Sequence, residues 1–308
     1  MRAQRTGAAD GAGRNETVEV GVGRRHRHPR DHAVHPQDHA IQTWRRCADD
    51  AVLLDGFHAV KHAVRFGAEL LVALTTDLAG TLALADQLAP DVRPALAARL
   101  VELPGERMGS LVPRLHPTGV AALAVRPSRE AQWDALAHRP RTAPVVVLDQ
   151  PRNLGNAGAV VRLAAGCGAT GVITTGPLDP WHPTVVRGGA GLHFATAVAR
   201  TDVAGLPHGP ILALDAEGED IRGMMIPDDA LLAFGSERSG LSAELRARAD
   251  RVISLPMRPQ VSSYNLATSV AMVLYHWSLH STGTHSTGDH STSDHPTDGV
   301  HQRSPHRW

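Results

Sequence analysis

Five short apolar runs punctuate the second half of the chain: VVVLD from Val145, GVITT from Gly171, ILALD from Ile211, LLAFG from Leu231 and VISL from Val252. Each is bounded by Gly, Pro or Asp, and none alternates with polar residues. Near-continuous β-branched runs of this length are strands buried on both faces, so they predict a mainly parallel sheet. Helical spacing between them predicts helices at 157–167, 184–192, 242–248 and 262–277, covering both faces of that sheet.

A second alternation of elements lies upstream. An apolar run at 52–54 leads through Asp55 and Gly56 into an amphipathic stretch at 57–66, and Asp55 is a candidate helix cap. A strand at 70–76, a helix at 80–88 and strands at 99–103 and 119–125 follow. This pattern predicts a small α/β sandwich of roughly 75 residues. The expected organisation is a leader at 1–42, a first domain at 43–127, a linker at 128–143 with a short helix at 129–137, a second domain at 144–279 and a low-complexity tail at 280–308. The linker is marked by Pro127, Pro140 and Pro144. The leader lacks hydrophobic periodicity, and the tail repeats His, Ser, Thr and Gly, so both are expected to be disordered.

At 308 residues and 42 % hydrophobic content, the chain can bury two ordinary cores. Its two cysteines, Cys47 and Cys167, cannot build a disulfide framework, which suits a reducing, cytoplasmic compartment. No apolar run approaches the roughly 18 residues of a membrane span. The leader's histidines match no zinc spacing and the regular histidines of the tail lack an accompanying carboxylate or cysteine shell, so no metal is expected. A formal net charge of zero argues mildly against a polyanionic partner. Arginine greatly exceeds lysine, however, and arginine suits bidentate phosphate contact.

Candidate chemistry sits where strands give way to helices. After 145–149 come Asn156, Gly158, Ala159, Val160, Val161 and Arg162; after 231–234 come Gly235, Glu237, Gly240, Leu241 and Ser242; after 252–255 come Pro256, Met257, Ser263 and Asn265. Ser263 and Asn265 carry oxygens able to cap the last helix. Asn156 is similarly suited to cap the helix at 157–167. Strand ends of this kind present free N–H groups at the edge of an α/β sheet where ligands bind. No Gly-x-Gly-x-x-Gly fingerprint follows a strand, and no Gly-x-x-x-x-Gly-Lys-Ser/Thr phosphate loop occurs.

In order and spacing, these three junctions resemble motifs 1, 2 and 3 of the SPOUT class of RNA methyltransferases, TrmH (SpoU) family, with a resemblance extending over about residues 48–278. It implies a C-terminal α/β domain with a trefoil knot, preceded by a ribosomal-protein-like RNA-binding domain. It further implies S-adenosylmethionine as cofactor, 2′-O-ribose methylation of ribosomal or transfer RNA rather than of DNA, and a homodimer. Cofactor contacts would fall on Gly235, Leu255, Met257 and Tyr264, with Thr175 lining the slot. Arg162 would bind the phosphate beside the target ribose and stabilise the developing alkoxide. Asn156 would orient the ribose or cap its helix, Glu237 would hold the cofactor loop, and Asn265 would fix the backbone near the cofactor. Pro259, Tyr264 and Ser239 depart from the commoner family residues. They motivate an alternative: an RNA-binding protein with this fold and no turnover. On the first domain, His58, Lys61 and His62 would share one helix face, open to RNA backbone contact or simply to solvent.

Overall fold

The computed structural model describes residues 35–281. The expected leader and tail lie outside these residues, except at their inner ends. The inner end of the leader is folded: α1 spans Pro36–Cys47, so order begins ahead of the expected boundary at 43. Its apolar residues Ala40, Ile41 and Trp44 recur on one face among charged neighbours, and all three are buried. The indole N–H of Trp44 donates to the Leu111 carbonyl at 3.0 Å.

The first sheet follows. In chain order its elements are β1 (Val52–Asp55), α2 (Phe57–Arg65), β2 (Leu70–Thr75), α3 (Leu78–Leu88), α4 (Arg93–Arg99), β3 (Leu100–Glu102), α5 (Gly105–Gly109) and β4 (Val120–Ala124). The strands lie in the order β1-β4-β2-β3, with only β2 and β3 parallel. One face packs on Ile41, Trp44 and Met108. The other packs on Val60, Ala85 and Leu96. Asp55 does not cap α2, whose N-cap is Gly56 without a side-chain bond; its carboxylate pairs instead with Arg187 at 2.9 Å.

The second sheet carries α6 (Arg129–Ala137), β5 (Val145–Leu148), α7 (Leu154–Gly166), β6 (Gly171–Thr174), α8 (Pro183–Gly188), β7 (Ala197–Arg200), β8 (Ile211–Asp220), β9 (Leu231–Phe234), α9 (Ala243–Arg248), β10 (Arg251–Ser254) and α10 (Leu266–Ser278). Its six strands run in the order β10-β8-β9-β5-β6-β7, and every neighbouring pair is parallel. Every residue of β5 is buried, Val146 and Leu148 toward one core and Val145 and Val147 toward the other. The sixth strand, β7, is an addition to the five expected. The helix expected at 184–192 ends early, because Ala190 and Gly191 adopt left-handed φ of 50° and 74°. The segment 128–143 is no free connector: Leu136 of α6 is fully buried against Val145 and Ile173, and Gln132 accepts from the Val198 N–H at 2.6 Å.

The two sheets share one core. A single apolar cluster joins Val52 and Phe57 of the first to Val160, Val186 and Trp277 of the second. Gly158 lets α7 pack closely on α8, since a Cβ there would lie 2.5 Å from the Val185 carbonyl oxygen and 2.8 Å from Gly188 Cα.

Candidate active site

The carboxyl ends of β8, β9 and β10 open into a cleft of about 460 Å³, a size suited to a small-molecule ligand. Its space comes from a slip in strand pairing: Val252 pairs with Ala213, but the next residue, Ile253, pairs with Glu219. The intervening residues of β8 therefore bow away, and Leu214, Asp215 and Ala216 form one wall. Gly235 and Glu237 form a second, and Leu255, Met257, Tyr264 and Asn265 a third. Apolar side chains and exposed backbone thus meet in one slot, which fits a flat ring with a polar extension.

Gly235 sits where the chain turns back on itself. The Ser236 and Gly240 backbones exchange hydrogen bonds of 2.9 and 3.0 Å, and a Cβ at Gly235 would collide with the backbone of Gly240 and Leu241. Leu241 is buried in the core beneath, and Ser242 caps α9 by accepting from the Leu245 N–H.

At the mouth of the cleft, three polar residues from three segments are joined. Asn156 Nδ2 donates to Glu237 Oε1 at 2.9 Å, and Asn265 Nδ2 donates to Asn156 Oδ1 at 3.3 Å. The Arg152 N–H approaches Glu237 Oε2 at 3.4 Å. Burial pushes the Glu237 carboxyl up, but these hydrogen bonds outweigh it and hold the group below its ordinary range. Asn156 is not the cap of α7: Asn153 accepts from the Asn156 N–H at 3.0 Å, which leaves the Asn156 side chain free for Glu237. Of the two expected caps of α10, Asn265 alone serves, accepting from the Ala267 N–H at 2.9 Å, and the helix begins at Leu266 rather than at 262.

The loop after β10 accommodates two of the departures. The Val261 N–H donates to the Arg258 carbonyl at 3.1 Å, and Gln260 has a φ of 74°. That is a turn with proline at its second position and a left-handed third residue, a combination that suits Pro259. The Tyr264 hydroxyl donates to the Pro256 carbonyl at 3.3 Å, closing the loop over itself.

Two expected site residues stand elsewhere. Thr175 does not line the cleft. It is buried behind it, donating to Asp149 Oδ1 at 2.7 Å and accepting from the Gln150 N–H at 3.0 Å. Arg162 is exposed on α7 and is not among the cleft's lining residues; among the described residues it has neither an ion pair nor a hydrogen bond. Asp149, which the sequence reading passed over, is fully buried and also accepts from the Ser242 N–H at 2.6 Å. Its carboxylate ties β5 to the loop behind β9. The signal for it was an acidic residue closing the otherwise apolar run VVVLD.

Residues 143–275 match the model of the SpoU rRNA Methylase family. The chain is 30 % identical to a 23S rRNA (uridine(2479)-2′-O)-methyltransferase of Streptomyces viridochromogenes over 145 residues, which cover 42 % of this chain and 50 % of that one. The aligned stretch thus spans half of that relative. A tRNA/rRNA methyltransferase of Mycolicibacterium gilvum, itself described as uncharacterized, is 27 % identical over 314 residues, covering 88 % of this chain and 95 % of that one. Among solved structures, the SpoU methyltransferase AviRb from Streptomyces viridochromogenes, in complex with the cofactor AdoMet, shares the fold. The TM-score is 0.62 at 22 % identity, covering 78 % of this chain and 97 % of that chain.

Proposed function

Because the chain belongs, through residues 143–275, to the SpoU rRNA methylase family, we infer that it is an S-adenosylmethionine-dependent RNA 2′-O-ribose methyltransferase acting on ribosomal or transfer RNA. The observation that carries this reading is the convergence of Gly235, Leu255, Met257 and Tyr264 on one cleft at the carboxyl edge of a parallel sheet. When bound there, the cofactor supplies a methyl group on a sulfonium centre.

The chain's own residues supply position and charge. Leu255 and Met257 offer apolar contact, and the turn at Gly235 admits a ring against bare backbone. Glu237, ionised and held by Asn156, keeps that turn in place. Asn265 locks the third loop to the same network. The Arg162 guanidinium offers a planar fork of N–H donors and no acceptor, so its role is to hold a substrate phosphate and to stabilise charge developing on the 2′ oxygen.

Arg162 lies away from the cleft of its own chain, which supports a homodimer in which each cleft receives the guanidinium of a second copy. Exposed apolar groups beside α10 support the same reading. Tyr275 is 64 % exposed and Met225 70 % exposed, and His276 Nε2 meets the Met224 carbonyl at 2.8 Å, holding that segment on the helix. The family's trefoil knot would thread the loops at 235–241 and 255–265 past each other, consistent with their joint closure of one cleft. The first sheet fits an RNA substrate-binding unit of ribosomal-protein type. No helix among the described residues is long and apolar enough to cross a membrane, and the cytoplasm is where such RNA is found. The turn at Pro259 removes one motive for an inactive protein.

Incubation with tritiated-methyl S-adenosylmethionine and bulk RNA, followed by mapping of ribose methyls, tests the assignment. Label on ribose 2′ oxygens is expected. Label on bases alone, or no cofactor binding, would overturn it.

A further inference from the structure

Lys61 is the only lysine in the chain; every other basic side chain of this strength is arginine. It lies on α2, and only 9 % of its surface is exposed. The 3-10 turn Leu192–Phe194 packs against both α2 and α7. His62 Nδ1 meets the Ala190 carbonyl at 2.9 Å, so α2 of the first sheet is pinned beside the helix that carries Arg162. His58 stands one turn before Lys61 on the same face.

The charges at this junction do not balance. Arg65 is taken by Asp91 at 2.6 Å and Arg187 by Asp55 at 2.9 Å. Lys61 and Arg162 have neither an ion pair nor a hydrogen bond among the described residues. Burial first, then the charge of Arg65, hold the Lys61 ammonium below its ordinary range; Asp91 opposes the shift and Arg162 adds to it. His58 is lowered likewise, by burial first and then by Lys61, Arg162 and His116. The Lys61 ammonium, covered from water and left unpaired, costs stability unless an anion joins it. A phosphodiester oxygen would accept from the compact ammonium, and the guanidinium fork matches a second.

We propose that Lys61 and His58 of the first sheet, with Arg162 of the second, form a seat for one phosphodiester of the RNA. The proposal rests on the RNA reading above and deepens it. The first sheet then grips the same phosphate as the residue assigned to the transfer step, so the two halves of the chain set one register on the substrate. An RNA phosphate is favoured over an acidic protein side chain because Arg162 belongs to the family motif that serves the transfer.

The test is filter binding of protein-free ribosomal RNA by the full chain, across a salt series, for wild type, Lys61→Gln, Arg162→Gln and the double variant. Arg93→Gln serves as a control that removes one charge from α4, where Arg93 pairs with Asp86. Lys61→Gln is expected to weaken binding on the order of tenfold, the size of one charge-assisted hydrogen bond, and to flatten the salt dependence by about 0.7 in log–log slope. The double variant should lose clearly less than the product of the single losses, because both side chains serve one anion. The thermal midpoint of Lys61→Gln should equal or exceed that of wild type, since an unpaired covered charge is removed. Binding by Lys61→Gln equal to that of Arg93→Gln, or losses that simply multiply, would overturn the seat. Failure of the methyltransferase reading is scored separately, by absence of cofactor binding and of ribose label in the wild type.

Discussion

Asn156 Nδ2 donates to Glu237 Oε1 at 2.9 Å, joining the first turn of α7 to the loop behind β9 across 81 residues of chain. The same Asn156 accepts from Asn265 at 3.3 Å, so one amide holds two of the three loops around the cleft. Asn156→Ala is expected to weaken cofactor affinity by about five- to tenfold, the worth of a hydrogen bond to an ionised partner. The thermal midpoint should barely move, because the bonds are exposed. Calorimetry with S-adenosylmethionine measures the first and a melting curve the second.

The pH dependence follows from the sign of the Glu237 shift. A carboxyl held below its ordinary range contributes above the unfolded value and loses that contribution as pH falls through the folded one. Cofactor affinity is therefore expected to be flat across neutral pH with respect to this group, and to decline only once the pH has fallen below the ordinary carboxylate range. A decline in Glu237→Gln identical to that of wild type would show that another group is responsible.

Gly235→Ala places a methyl group against the backbone of Gly240 and Leu241, where no side chain can move aside. The loop must shift as a unit, at a cost of about 1–3 kcal/mol, as in other overpacked sites. Because that loop is a cleft wall, cofactor binding should fall by about 100-fold or more while the rest of the fold persists. Titration and a denaturation curve on the same sample separate the two effects.

The strands were legible because burial on both faces leaves a run such as Val145–Leu148 with no polar interruption. β7 was not, since Ala197–Arg200 is short, alanine-rich and at the sheet edge. α1 was hidden by its many polar residues, although Ala40, Ile41 and Trp44 carried the helical spacing. The motif residues were legible as residue types at strand ends, but their bonds were not. Asn153 and Asn156 stand three apart and are chemically alike, and only the path of the chain decides which one caps α7 and which reaches Glu237. Thr175 looked like a cleft residue because it ends a strand, yet its hydroxyl turns inward to Asp149.

Gln260 holds a left-handed φ of 74° without being glycine. Gln260→Gly is expected to raise stability by up to about 1 kcal/mol, the relief of the left-handed conformation less the added freedom of the unfolded chain. A rise of a few degrees in thermal midpoint would register it, with cofactor affinity within about twofold because the Arg258–Val261 turn is kept.

Arg162 and Gly235 belong to different clefts if the guanidinium comes from a second copy. Arg162→Ala alone should keep cofactor affinity within a few-fold and lower methyl transfer on the order of 100-fold, as for loss of an oxyanion donor. Gly235→Ala alone should lose about 100-fold or more in cofactor affinity, leaving its cleft empty at a limiting cofactor concentration. Mixed and reassembled in equal amounts, the two variants form hybrid dimers in which one site receives both a native cleft and a native arginine. About half the dimers are hybrids, so recovery of roughly a quarter of wild-type transfer is expected from a twofold assembly. Absence of any recovery, with hybrid dimers verified by mass, would place Arg162 and the cleft it serves on the same chain.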